Sequence, residues 1–433
     1  MPQFDVAILG LGITGFTTAE YCQQEGLSVA VTDDRAQPPL LNRLLSEHPD
    51  IPVSTGAFDQ VMLLNSKRII VSPGIAPSCP IIQWLHDKNK EIISDIDLFL
   101  ERFSGRLIAV TGSNGKSTTV KMLHDFITQS GQSACMIGNI GQAALTYLLK
   151  KSAPCDWVIL EISSFQLHWT QNIRADIGVL LNIYPNHLDW HEGIDAYQEC
   201  KCRLLQSSNS VVMPHALADL ADQYHFKDKV VGWIPSYSCL NESALDIDNR
   251  IIDSLPYALH KSAIATWAIA QIIGLDKQSC IRALEEFQPW PFRCQHEKTH
   301  TGNWYNDAKS SNLAAARYAI ESVSRKHGAK VIWIAGGVTK NEDFSQVKRW
   351  SSKFVSQAVI YGQDQQQFIE ALHGTCAISP VKTLQDAIAL AHSTMKKDDV
   401  VVFSPAAASF DQFENFQHRG QCFSEELLAV MPG

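Results

Sequence analysis

The sequence has no apolar run that reaches the ~20 residues needed to span a membrane. It has no C-x-x-C pair, no short-period repeat and no low-complexity segment. No basic region precedes its first apolar run, "FDVAILG", so that stretch reads as a first strand and not as a signal peptide. There is no excess of basic residues: 36 Lys and Arg stand against 45 Asp and Glu, for a net charge of −9. That balance excludes a general nucleic-acid binder, although a local basic patch stays open. Cysteine is present, but the eleven residues are odd in number and scattered. In a long chain this implies reduced thiols and a cytoplasmic protein, not a disulfide framework. Cys200 and Cys202 form a C-x-C that reads as buried or incidental thiols in preference to a metal pair. The expected partners are therefore small molecules, with no nucleic acid and no membrane, and the chain is expected to be a monomer.

At 433 residues the chain suits two or three domains. Short β-branched runs alternate with helical stretches almost throughout, which implies an α/β protein with largely parallel sheets. Residues 1–98 hold the strand signals "VAILG", "SVAVTD" and "RIIVSPG". Residues 99–297 hold "RLIAVTG", "WVILEISS", "IGVLLNI" and "SVVMP", then the helical stretches "LHKSAIATWAIAQIIG" and "SCIRALEEF". The two prolines of "FQPWPFR" mark a boundary. Residues 298–433 hold "NWYNDAK", "KVIWIAGG", "QAVIYG" and "VVVFSP".

Two glycine-rich turns carry the chemistry. "GLGITG" sets Gly10, Gly12 and Gly15 directly after a strand and before a helix, and Asp33 closes the next strand. Spacing and context fit the dinucleotide fingerprint, in which backbone and helix N-terminus approach a phosphate and the acid meets a ribose or base. It identifies a nucleotide-shaped cleft more securely than it identifies NAD. "VSPGIAP" supplies another loop after a strand of the same sheet. In the second turn, "LIAVTGSNGKSTT", Gly112, Ser113, Asn114 and Gly115 separate a strand from a helix. This is a P-loop shortened by two residues. Its amides can surround a phosphate, Lys116 can neutralise β- and γ-phosphate charge, and Ser117 and Thr118 offer hydroxyls to Mg²⁺. Glu161 ends the apolar strand of "WVILEISS", at the sheet edge where a P-loop acid belongs. "LLNIYPNHLDWHEG" offers His187, Asp189 and His191, equally open to metal binding or a plain surface loop. Lys201, alone, reads as a solvated lysine.

"TGSNGKSTT", "LEISSFQL", "NIYPNHLDWH", "YNDAKSSN" and "SPAAASFDQFENFQHRG" together resemble the Mur ligases, ATP-dependent enzymes that form amide bonds. Folylpolyglutamate synthetases share the shortened P-loop, and the last motif and "LEISSFQ" point to the D-glutamate-adding branch. The resemblance implies a Rossmann-like N-terminal domain, a central P-loop ATPase-like domain with a parallel sheet and a Rossmann-like C-terminal domain that binds the amino acid. It implies that ATP converts the carboxylate of a UDP-N-acetylmuramoyl-L-alanine to an acyl phosphate. The amine of D-glutamate then attacks through a tetrahedral intermediate, in cytoplasmic peptidoglycan precursor synthesis. Ile13, Thr14, Asp33, Asp34, Arg35 and Gly74 would then hold the uridine diphosphate, and Asn139, Ser163 and Gln166 the sugar and its alanine arm. Lys116 and the loop amides, with Arg293 and Asp307, would hold ATP. Ser117, Glu161, His187 and Lys201, the last as a carbamate, would hold a pair of Mg²⁺ ions, with Mn²⁺ as an alternative. Ser311, Lys340, Ser409 and Phe416 would bind D-glutamate, with Lys309 and Asn312 in the same motif. The chain departs from the family in "LHKSAIAT", where Lys261 and Ile264 replace asparagines at an adenine contact. It departs again at Phe292, before Arg293, and in "GGVTK".

Overall fold

The computed structural model describes residues 3–150, 154–242, 245–297, 299, 302–339, 343–396 and 398–431. Among them the strands form three sheets. The chain divides into two compact units. The first comprises Met1–Ile183, Trp190–Leu245 and Ile264–Leu284, and the second Tyr184–Asp189, Asp246–Ala263 and Glu285–Gly433.

The first unit carries two of the sheets. Strands β1 (Phe4–Leu9), β2 (Val29–Asp33), β3 (Val53–Thr55), β4 (Ser66–Val71) and β5 (Glu91–Ile93) pair in the order β3-β2-β1-β4-β5. Every pairing is parallel. The strand order reverses between β1 and β4, so the loops that follow them lie side by side, where such sheets take ligands. Ser72 fixes that edge: its Oγ donates to Gly10 O at 2.8 Å and its N to Leu9 O at 2.9 Å. A Cβ on Gly15 would stand 2.0 Å from Gly10 O, so only glycine lets helix Ile13–Gln24 seat this closely on the turn.

The second sheet comprises β6 (Leu107–Thr111), β7 (Ala134–Gly138), β8 (Trp157–Glu161), β9 (Ile177–Leu180), β10 (Ser210–Pro214) and β11 (Val230–Ile234). Its order is β11-β10-β9-β6-β8-β7, again parallel throughout. β6, β8 and β9 are buried along their whole length, hence their unbroken apolar runs. One apolar core joins both sheets, packing Val6, Ile8 and Phe16 into the same cluster as Leu107, Leu160 and Leu204. A polar joint reinforces it. Asp97 closes a capping box with Ser94 and also accepts from Gln171 N at 2.9 Å and Asn172 N at 2.8 Å.

The second unit holds β12 (Gln295–Glu297), β13 (Asn303–Asn306), β14 (Val331–Gly336), β15 (Val355–Tyr361), β16 (Ala377–Pro380) and β17 (Val400–Phe403), ordered β12-β13-β17-β14-β15-β16. Only β12 runs antiparallel to its neighbour. Both faces are covered: Val331, Trp333 and Ala335 of β14 enter one core, and Ile332 and Ile334 enter another. The expected α/β class and parallel sheets are what the structure has. No helix among the described residues is long and apolar enough to cross a membrane.

Candidate active site

In the second sheet the strand order reverses at β6. Its C-terminal loop, residues 112–115, therefore opens between the ends of β8 and β9. Val110 pairs with Glu161 and Thr111 with Leu180, which brings Glu161 and Asn182 to the flanks of the loop. Asn182 holds the loop open. Its Oδ1 accepts from Asn114 N at 2.9 Å, its Nδ2 donates to Asn114 O at 3.0 Å, and its own O accepts from Ser113 N at 3.1 Å. Ser113 Oγ lies 2.7 Å from the hydroxyl of Tyr197, a residue that is 1% exposed. Helix Lys116–Gln129 then begins, with Ser117 and Thr118 buried in its first turn.

Three charged groups converge here. Lys116 Nζ donates back to Gly112 O at 2.7 Å and Ser113 O at 3.1 Å, so the phosphate loop holds its own lysine. Lys201, on helix Ile194–Ser207, donates to the same Gly112 O at 3.2 Å and to Thr111 Oγ1 at 3.3 Å. It is 1% exposed, with Nζ 4.6 Å from the Tyr197 ring centroid. Burial, reinforced by the charge of Lys116, holds its ammonium well below the usual lysine range. The bland expectation of a solvated Lys201 therefore fails. Glu161 is 1% exposed; Oε1 accepts from Asn139 Nδ2 at 2.9 Å, while Oε2 is buried without a partner. A buried carboxylate oxygen with no donor beside a phosphate loop fits a divalent cation, and the oxygen and hydroxyl donor set suits Mg²⁺.

The other anticipated residues of this unit divide by environment. Asp33 is buried and accepts from Leu11 N at 2.7 Å and from Arg35, whose Nε and Nη2 donate at 2.9 and 2.6 Å. Burial would raise its carboxyl, but these bonds hold it below the usual range. Ile13, Asp34, Arg35 and Gly74 are exposed at the same sheet edge, with Thr14 on the first turn of its helix. Ser163 and Gln166 form the capping box of helix Ser164–Trp169, a structural use of both side chains. His191 is a core histidine: burial pushes it down to about 4, and Nε2 lies 2.9 Å from Ser164 Oγ.

In the second unit, His187 has a positive φ of 56°, and Arg293 stands between Phe292 and Cys294, which also have positive φ. Asp307 is buried, accepting from Ser404 Oγ at 2.7 Å and Cys294 N at 3.1 Å. Burial pushes its carboxyl up to about 7 against those bonds and the charges of Arg293 and Arg419. Lys309 Nζ sits 3.8 Å from the ring centroid of Phe416, the first residue of helix Phe416–Val430. Ser409 is buried, Ser311 is half-buried and Asn312 caps helix Leu313–His327. The cap of helix Phe416–Val430 is Asn415, so capping does not explain Ser409. Lys340 lies outside the described residues. Lys261 donates to Tyr184 Oη at 3.3 Å and lies 4.7 Å from the Tyr318 ring centroid. Ile264, in the first unit, is core. Sequence reasoning missed Asn182, Tyr197, Ser404 and Arg419. Asn182 could have been found, because it lies two residues past the end of β9, the strand neighbouring the P-loop strand.

A phosphate loop at a switch point, backed by an acid with one unpartnered oxygen and by a second lysine that is buried, defines an α/β nucleotide-handling protein of three sheets. Three family descriptions match in chain order. They are the MurD-like N-terminal domain of Mur ligases at residues 4–94, the Mur ligase middle domain at 110–235 and the Mur ligase glutamate ligase domain at 292–407. The UDP-N-acetylmuramoylalanine–D-glutamate ligase of Nitrosococcus oceani is 33% identical over 440 residues, covering 98% of this chain and 96% of its own. The enzyme of that name from Acinetobacter baylyi is 32% identical, covering 96% of each. The chain belongs to the Mur ligase family. Its fold is also that of the UDP-N-acetylmuramate-alanine ligase of Thermotoga maritima, with a TM-score of 0.62 at 13% identity over 99% of this chain and 100% of that one. The MurF ligase of Thermotoga maritima, solved with ADP, gives 0.58 at 13% identity over 93% and 95%.

Proposed function

We propose that this protein is an ATP-dependent ligase that joins D-glutamate to UDP-N-acetylmuramoyl-L-alanine, in the cytoplasmic synthesis of peptidoglycan precursors. The observation that carries the reading is the phosphate loop with the unpartnered Glu161 oxygen at its flank, in a chain alike over nearly its whole length to D-glutamate ligases. A carboxylate resists a nucleophile, and oxide is not a leaving group. Transfer of the γ-phosphoryl group of ATP to that carboxylate makes phosphate the leaving group. The glutamate amine then attacks, and phosphate departs as the amide forms.

The chain's own part is to gather anions. Lys116 would leave the Gly112 and Ser113 carbonyls for the ATP phosphates, toward which the amides of Gly115–Ser117 at the helix start would also donate. Ser117, Glu161, His187 and Lys201 are the residues that would hold Mg²⁺, which when bound screens the phosphate and acyl oxygens. The neutral amine is the form that adds CO₂, losing one proton to give a carbamate, and the burial of Lys201 favours that form, which supports the expected modification. Arg293 and Asp307 would serve ATP. Ser311, Lys340, Ser409 and Phe416 would bind D-glutamate. Ile13, Thr14, Asp33, Asp34, Arg35 and Gly74 would take the uridine diphosphate, and Asn139, Ser163 and Gln166 the sugar and its alanine arm.

The test is phosphate release from ATP with each substrate omitted in turn. Release that requires both the UDP-sugar–alanine and D-glutamate is expected. Release with L-glutamate and none with the D form would refute the reading. Lys116→Ala should lower the rate by orders of magnitude.

A further inference from the structure

Three loops of the second unit meet at the start of helix Phe416–Val430, and one buried side chain ties two of them together. Arg419 is 0% exposed. Its Nη2 donates to Ala308 O at 2.9 Å and to Ala407 O at 3.0 Å, while Nε and Nη1 are buried without a partner. Nη2 thus spends both its bonds on main-chain carbonyls, not on a carboxylate. A charge buried this way is costly to keep, which is unusual for a mere filler of the core. Asn306 adds a parallel tie. Its Nδ2 donates to Gly420 O at 2.9 Å and its Oδ1 accepts from Ala308 N at 3.2 Å. Behind them Lys309 N donates to Phe292 O at 3.2 Å, and a Cβ on Gly420 would stand 2.5 Å from the Phe292 ring.

The tied loops are those of "YNDAKSSN" and "SPAAAS". The first continues into Lys309 and Ser311, and the second ends at Ser409. Phe416, three residues before Arg419, lies on the same helix face and carries the Lys309 ammonium over its ring. We infer that Arg419 is a positioning residue for the amino-acid half of the reaction: it sets the spacing of residues 306–311 against residues 404–409 without itself touching substrate. The inference rests on the D-glutamate reading above. A residue that only stabilised the core would affect every substrate alike once the protein was folded. A residue that spaces these two loops affects D-glutamate and leaves the UDP-substrate, which the other unit binds, unaffected.

The experiment compares wild type, Arg419→Met and Arg419→Lys in full-length protein, measuring KM for each substrate, kcat and Tm. Loss of both ties in Arg419→Met should raise KM for D-glutamate about tenfold or more, with KM for the UDP-substrate within about twofold. Arg419→Lys, which keeps the charge and a donor, should recover part of that loss. An unchanged D-glutamate KM in folded Arg419→Met, or a UDP-substrate KM that rises in step with it, overturns the inference. If Arg419→Met does not fold, Arg419→Lys decides. A selective rise in D-glutamate KM at near wild-type Tm supports the inference, and no rise overturns it. Wild-type protein that releases no phosphate with D-glutamate overturns the ligase reading and this inference with it, and that result is seen before any variant is compared.

Discussion

Burial shifts two residues of the candidate site in opposite senses. Lys201 is a buried amine pushed down; Asp307 is a buried carboxyl pushed up to about 7. In both, burial is the leading cause, because a low-dielectric surrounding penalises whichever form is charged. Asp307 has a measurable signature. Its folded carboxyl titrates above its unfolded value of 3.8, so its contribution to stability is fully present below about pH 4 and is lost as pH rises through about 7. The loss amounts to at most about 4 kcal/mol. Asp307→Asn keeps an uncharged group there at every pH. The difference in Tm between the variant and wild type should therefore move in the variant's favour from pH 5 to pH 8 and level off above. A difference that stays flat over that range would show that Asp307 is charged throughout in the folded protein.

The elements around the phosphate loop depend on one close approach that only glycine permits. Gly138 ends β7 at φ +97°, and a Cβ there would stand 2.3 Å from Glu161 O and 2.6 Å from Leu160 Cδ1. The next residue, Asn139, gives its backbone N–H to Glu161 O and its Nδ2 to Glu161 Oε1, both at 2.9 Å. Gly138→Ala would push β7 away from β8 and take the carboxylate's donor with it. The expected result is a rise of about tenfold in the Mg²⁺ concentration for half-maximal activity, with KM for D-glutamate unchanged. An unaltered Mg²⁺ dependence would mean that Glu161 does not rely on β7. These contacts also mark what the sequence could and could not reveal. The long buried strands β1, β6, β8, β14 and β17 announce themselves as β-branched runs before turns, and Glu161 and Lys116 follow from strand-end logic. β3 and β5 have only three residues each and carry no periodicity to read. Tyr197 and Arg419 act on partners 84 and 111 residues away, through hydrogen bonds that local pattern does not encode.

At the scale of the whole molecule, a chain of net charge −9 must handle three anionic substrates, so its cations have to be placed locally, as Lys116 is in one unit and Lys309 in the other. The two units also differ in what holds them together. A single apolar cluster unites the first two sheets, with Asp97 fastening helix Asp95–Arg102 to Gln171 and Asn172, whereas the clusters around β14 draw on C-terminal residues alone. Units with separate cores can unfold as separate cooperative blocks, and a ligand raises the melting temperature of the block that binds it. Scanning calorimetry should therefore resolve two transitions. Uridine diphosphate should raise one of them and leave the other in place. Asp97→Ala should lower that same transition, because the side-chain acceptor of the Gln171 and Asn172 main-chain N–H groups is lost, at a cost of about 1–3 kcal/mol in all. The second transition should be indifferent to both and should fall in Arg419→Met. One transition that responds equally to uridine diphosphate, Asp97→Ala and Arg419→Met would mean that the three sheets share one cooperative core.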